Sequence, residues 1–231
     1  MGYLGSKGQA GVWQRIIGQM PAHSFYGEPF YGSGQVFERK FPAAENVIID
    51  ADPDVIKKFT RIPAPFSTLK ASVATRAICG DAISILPTLT LPDDAVIYCD
   101  PPYLLSTRTS RHRYKFEMTE EQHETLLTIL QDLNCRVMIS GYPSTLYSAR
   151  LKAWRCISYR TRTRGRTLTE CLWCNFPEPT ELHDWRFAGR DFRERLKLKR
   201  QAARWLSRVD AMPPLQKGFL LHAIEQRHFT R

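Results

Sequence analysis

The chain has 231 residues, 43% of them hydrophobic, enough apolar mass to bury a core in one large domain or one and a half. No run of about 18 apolar residues is present and the first residues lack the charged-then-apolar order of a secretory signal, so neither a membrane span nor export is expected and the cytoplasm is the expected compartment. The net charge of +10 is uneven: residues 150–231 hold 19 Lys plus Arg against 8 Asp plus Glu, whereas residues 1–149 hold 14 against 15. A basic excess confined to the C-terminal third implies a polyanionic partner, nucleic acid above all, or else solvated helix faces.

An amphipathic stretch over 9–20 comes first, followed by short apolar strands expected at 24–28, 46–50, 74–79, 95–99, 136–140, 154–160 and 170–176. They alternate with helix-like stretches, the order of an α/β protein. The clearest helix covers 119–133. It opens with "TEEQ", where Thr119 can cap and Gln122 or Glu121 can answer, and it carries Leu126, Leu127 and Leu130 on one side. Of six cysteines, Cys171 and Cys174 have CxxC spacing in "ECLWCNF". No second pair completes four ligands and the segment reads as a strand, so packing is expected rather than a metal. The last clear element is helical over 192–208, "FRERLKLKRQAARWLSR", with Arg193, Lys197, Arg200, Arg204 and Arg208 in one stripe. Phe192, Leu196, Trp205 and Leu206 are expected to dock this helix, leaving the stripe either to phosphates or to solvent.

Four successive strands end within a residue or two of an acid, in "FYGEPFYGSG", "VIIDADP", "AICGDA" and "VIYCDPPY". One such acid is commonplace, since Asp caps helices. In a doubly wound parallel sheet, however, strand carboxyl ends border the ligand crevice, so four acids converge there. "EPFYGSG" (28–34) adds two glycines at a strand-to-helix turn, where a ligand can approach the backbone, and Asp50 follows about twenty residues on, placed to accept from ribose hydroxyls. With no Lys-Ser/Thr phosphate signature, an adenosine-containing cofactor fits better than ATP. The fourth strand end is the most particular: Asp100 followed by Pro101 and Pro102 fixes two carbonyls, which suits a site receiving an amino group between a carboxylate and a rigid carbonyl, with Tyr103 ready to stack on something flat.

These motifs together resemble the Dam-like, alpha-group DNA adenine methyltransferases, which use S-adenosylmethionine. "YLGSKG" (3–8) resembles the family's N-terminal signature, "EPFYGSGQVF" its cofactor loop, "IIDADP" the ribose-binding strand end, "CGDA" the strand end approaching the cofactor's adenine, and "DPPY" (100–103) the catalytic motif; "VMISGY" and "TECLWCNF" resemble later strands. The resemblance implies a seven-stranded Rossmann-like methyltransferase sheet with helices on both faces. It divides the chain into a catalytic domain, 1–177, and a basic helical extension, 178–231. It further implies that Tyr3, Lys7, Glu28, Pro29, Phe30, Gly32, Gly34, Asp50, Asp81 and Asp100 line the cofactor pocket, Lys7 being otherwise a solvated lysine at a helix start. Asp100, Pro101, Pro102 and Tyr103 are the catalytic set.

On this reading the Asp100 carboxylate and the Pro101 carbonyl each accept a hydrogen from adenine's 6-amino group, favouring a tetrahedral nitrogen for direct displacement. The base must be flipped out or single-stranded, at a few kcal/mol, and stacking on Tyr103 offsets roughly 1–3 kcal/mol of that. Many relatives insert a target-recognition domain before DPPY, whereas only residues 83–99 lie there in this chain. DNA contacts are therefore expected from "STRTSRHRYK" (106–115), through Arg108, Arg111, Arg113 and Lys115, and from Lys197, Arg200 and Arg204, with "YRTRTRGR" (159–166) as a third basic turn. Contacts mostly to phosphates imply short or relaxed sequence specificity. RNA adenine methylation and a non-catalytic nucleic-acid-binding subunit are the alternatives.

Overall fold

The structure is a computed structural model in which residues 7–9, 11–61, 73–108, 115–163 and 166–229 are described. The chain forms two compact units, 1–187 and 188–231. In the first, helices α1 (Val12–Ile17), α2 (Pro53–Arg61), α3 (Ala82–Ile85), α4 (Glu120–Asp132) and α5 (Thr145–Arg150) accompany strands β1 (Phe25–Glu28), β2 (Glu45–Asp50), β3 (Ala74–Cys79), β4 (Val96–Cys99), β5 (Arg136–Gly141), β6 (Arg155–Thr163) and β7 (Arg166–Cys174). The second unit holds α6 (Phe192–Asp210) and α7 (Pro214–Phe229). Among the described residues no helix is long and apolar enough to cross a membrane.

The seven strands form one sheet in the order β3-β2-β1-β4-β5-β7-β6. The first five are parallel, and β7 runs antiparallel to both β5 and β6. Strands β1, β2, β4 and β5 are buried on both faces, which is why they read as near-continuous apolar runs rather than alternating ones. Side chains still alternate between faces. Val47 and Ile49 join Phe25, Ile97 and Val137 on one side, where Leu126, Leu127 and Leu130 of α4 cover them. Ile48 joins Tyr26, Val96, Tyr98 and Leu172 on the other, under Val12, Ile16 and Ile17 of α1.

Local chemistry sets the element ends. Thr119 caps α4 by accepting from the Gln122 amide, and the Gln122 side chain returns to the Thr119 amide, completing the capping box. Asp81 caps α3 by accepting from Ile83. Ser144 caps α5 by accepting from Tyr147. Helix α1 is shorter than the amphipathic stretch that contains it, because it begins only after Gly11, at φ +94°, and ends at Gly18. Cys171 and Cys174 are buried and free. Three residues apart on a strand, they point to opposite faces and pack in opposite halves of the core.

The chain lays down β1, then β2 and β3 on one side, and crosses back to place β4 and β5 on the other. The order reverses between β1 and β4, whose register pairs Tyr26 with Val96 and Gly27 with Ile97. This is the topological switch point, where the parallel sheet leaves a crevice at its carboxyl edge. Glu28 ends one wall of that crevice, and Asp100 comes directly after the other.

In the second unit, Lys197, Arg200 and Arg204 of α6 are exposed and share a groove with Arg193, Leu196 and Ala203. Of the apolar positions on α6, Leu196 is half-buried, while Phe192, Trp205 and Leu206 are 70%, 57% and 63% exposed.

Candidate active site

At the switch point lies a cavity of about 370 Å³, within the size range of small-ligand sites. Glu28, Asp50, Asp81 and Asp100, the four strand-end acids, all line it, together with Lys7, Pro29, Phe30, Gly32 and Pro102. Gly34, Pro101 and Tyr103 are not part of its lining, and Pro101 and Tyr103 are buried next to Asp100 and Pro102, which are. Tyr3, Arg111 and Arg113 fall outside the described residues.

The loop after β1 owes its shape to its glycines. Gly32 and Gly34 have φ of +53° and +62°, a region L side chains rarely enter. A Cβ on Gly34 would fall 2.2 Å from the Tyr31 hydroxyl, so the tyrosine could pack across the turn only over a glycine. Asp50 fastens the same loop: one oxygen accepts from the Gly32 amide at 2.7 Å and the other from the Asp52 amide at 2.8 Å. Burial raises the Asp50 carboxyl above its ordinary value, and those two amides oppose the rise. Each Asp50 oxygen keeps a further lone pair for a ligand hydroxyl. Beside this polar end, Phe30, Phe116 and Met118 give the cavity an apolar wall able to take a flat ring. The residues present therefore fit an adenosine-type cofactor.

At the other end, Lys7 is buried rather than solvated. Its Nζ lies 2.9 Å from Asp100 Oδ1 and also donates to Glu170 and to the Tyr103 hydroxyl. Tyr103 in turn donates to Glu170 and packs edge-on against Tyr142, ring centroids 4.6 Å apart. Burial pushes Asp100 up to about 6 against the pull of the Lys7 ammonium, and Glu170 adds to the rise. Burial works against the Lys7 ammonium as well, yet Asp100 and Glu170 hold it well above the usual lysine value. Burial pushes Glu28 up to about 8, opposed by the hydrogen bond from the Tyr26 hydroxyl, so Glu28 is largely neutral at pH 7. Asp100 keeps 18% of its side chain exposed, so it faces the cavity and not the packed interior.

Two expected DNA contacts are otherwise engaged. The Arg108 side chain is only 2% exposed and makes a double hydrogen bond with Glu117. Lys115 is exposed but pairs with Asp52 at 2.9 Å and Asp54 at 3.3 Å, on the rim of the cavity. Glu170 and Phe116 are not among the expected site residues, although Glu170 lies in "TECLWCNF", read only as a later strand. Acids at the ends of parallel strands are legible as a set, and Glu170 is not one of these. Antiparallel β7 brings its middle to the same edge, with Cys171 opposite Gly141, the last residue of β5.

The strand order with its antiparallel β7 and the cavity at the switch point define a Rossmann-like, methyltransferase-like α/β fold. Residues 67–154 match the D12 class N6 adenine-specific DNA methyltransferase family, which bears out the resemblance to the Dam-like enzymes. No curated protein sequence matches the chain. Similar solved structures include the magnesium protoporphyrin IX methyltransferase of Synechocystis PCC 6803 with bound S-adenosylmethionine, at 14% identity and a TM-score of 0.46, covering 71% of this chain and 75% of that one. An rRNA methylase from Streptococcus thermophilus is 13% identical with a TM-score of 0.45, covering 70% and 93%. The C-terminal domain of precorrin-6Y C5,15-methyltransferase from Rhodobacter capsulatus is 14% identical with a TM-score of 0.42, covering 71% and 85%. At such values the likeness says nothing of what this chain acts on, and the fold stands on the strand order itself.

Replacing Gly34 by Ala forces the left-handed turn and the Tyr31 ring apart. The Gly34→Ala protein should bind S-adenosylmethionine at least about tenfold more weakly, a loss of about 1.4 kcal/mol, by isothermal titration calorimetry; unchanged affinity would dissociate this loop from the cofactor.

Proposed function

We propose that this chain transfers a methyl group to the exocyclic 6-amino group of adenine in DNA. The observation that carries the reading is the Asp100 carboxylate, immobilised beside two prolines and facing a cavity that Glu28, Asp50 and Asp81 also line. Bound S-adenosylmethionine supplies an electrophilic methyl group on a sulfonium. Asp50 and the Gly32 turn hold the ribose end, Asp81 and the Phe30 wall receive the adenine ring, and Glu28 and Lys7 border the end nearest Asp100.

The 6-amino nitrogen of adenine is a weak nucleophile because its lone pair is delocalised into the ring. Asp100 accepts one amino hydrogen and the Pro101 carbonyl the other, turning the lone pair toward the methyl carbon. Rate then comes from positioning and from negative charge placed where positive charge develops. Lys7 holds Asp100 through Oδ1. Tyr103 stacks on a base taken out of its helix, its hydroxyl anchored by Glu170.

The exposed stripe of Lys197, Arg200 and Arg204 engages phosphates, as does Lys115 once released from Asp52. Contacts of this kind grip any sequence, so methylation occurs in a short or relaxed context.

Replacing Asp100 by Ala should lower methyl transfer to duplex DNA at least about 100-fold while DNA affinity stays within about twofold. Undiminished transfer would remove Asp100 from the chemistry, and labelling of RNA in place of DNA would favour the RNA alternative. Since the carboxylate is the working form and burial raises it to about 6, the wild-type rate should fall as pH drops through that value; a rate flat from pH 7 to pH 5 would contradict this. Changing Lys197, Arg200 and Arg204 together to Gln should reduce the slope of log affinity against log salt by about 3, one for each phosphate no longer neutralised. An unaltered slope would leave the stripe to solvent.

A further inference from the structure

Lys7 sits between two acids. If Asp100 and Lys7 were alone, the ammonium would cancel most of the carboxylate's charge, and an amine gaining positive charge would find little attraction there. Glu170 changes that balance from the far side. It accepts from Lys7 and from the Tyr103 hydroxyl, with only 6% of its side chain exposed. Lys7, Asp100 and Glu170 together carry one net negative charge, in a region where low dielectric strengthens each Coulomb interaction.

We infer that Glu170 is a positioning residue for methyl transfer: by holding the opposite side of the Lys7 ammonium, it keeps that cation from neutralising Asp100 and leaves the cluster's excess negative charge facing the incoming amine. This rests on Asp100 being the amine acceptor. As the new nitrogen–carbon bond forms, the methyl–sulfur bond would break with its electron pair left on the departing thioether, and the amino nitrogen acquires positive charge until one of its protons passes to water. A cluster of net charge −1 stabilises that moment more than it stabilises the neutral amine, so the effect falls on the transition state. Glu170 also locks Tyr103 by accepting its hydroxyl hydrogen, setting the ring beside the turn that carries Asp100.

Among the described residues, the titratable groups that act on Asp100 are Lys7, Glu170 on β7, Glu28 on β1, Tyr98 and Cys99 on β4, Tyr103, Tyr147 on α5 and Tyr159 on β6. The tyrosines are all held well above ordinary tyrosine values, burial being the main cause, and stay neutral through the working range. The charges that act most on Asp100 are therefore Lys7, which lowers it, and Glu170, which raises it, with Glu28 joining toward pH 8.

Glu170→Gln keeps an oxygen to accept from Lys7 and Tyr103 but removes the charge. It should lower kcat by about tenfold, leave KM for S-adenosylmethionine nearly unchanged, and shift the acid limb of the kcat profile down by about one pH unit. Lys7→Met should shift that limb up. In the cofactor-free protein, the carbon-13 signal of the Asp100 carboxyl should titrate lower in Glu170→Gln and higher in Lys7→Met, whether or not either variant turns over. Glu170→Asp, which keeps the charge, should titrate as wild type does. Unmoved limbs and carboxyl titrations, or shifts of the same sign in both variants, would overturn the inference while the methyltransferase reading stands. A wild-type protein inactive on all nucleic acids would sink that reading instead.

Discussion

A carboxylate at the switch point of a parallel sheet is the constraint on which the rest of this molecule depends. Asp100 is fixed on one side by β4, a strand with no exposed residue, and on the other by two prolines whose backbone angles cannot relax. Its charge is fixed by Lys7, 2.9 Å away. Burying such a group is expensive, and buried ion clusters are weak contributors to stability. A Lys-Asp-Glu cluster opening onto a cavity is better understood as a preorganised electrostatic device than as a structural staple.

From that point the division of labour is set by topology. Strands β1 to β3 turn their carboxyl ends, and the acids there, toward one half of the cavity, where the Gly32 turn and Asp50 make a polar socket beside an apolar wall. Strands β4, β5 and β7 supply the other half, where Asp100 and Glu170 approach each other through Lys7. A ligand spanning the two halves lies across the line where strand order reverses, and its reactive end meets Asp100. The second unit supplies charge of a different kind, an exposed cationic stripe along α6.

How much of this was legible depends on the range of the forces involved. Burial on both faces makes the central strands β1, β2, β4 and β5 apolar throughout, so they could be read within a residue or so, and the α4 cap likewise. The four acids were readable as a group because parallel strands must end at the same edge. Glu170 was not, because its approach to Asp100 depends on an antiparallel pairing some seventy residues away along the chain, and pairing direction leaves no local trace. Arg108 escaped for a similar reason: a basic residue in a polar loop reads as exposed, and only the return of the chain brings Glu117 against it.

The most direct test is the crystal structure of the protein with S-adenosylhomocysteine and an oligonucleotide containing adenine. The account predicts the ribose hydroxyls on Asp50 and the 6-amino nitrogen within roughly 3.2 Å of the Asp100 carboxylate, the reach of a hydrogen bond. A cofactor bound away from Asp50, or an adenine whose amino group meets neither Asp100 nor the Pro101 carbonyl, would contradict it.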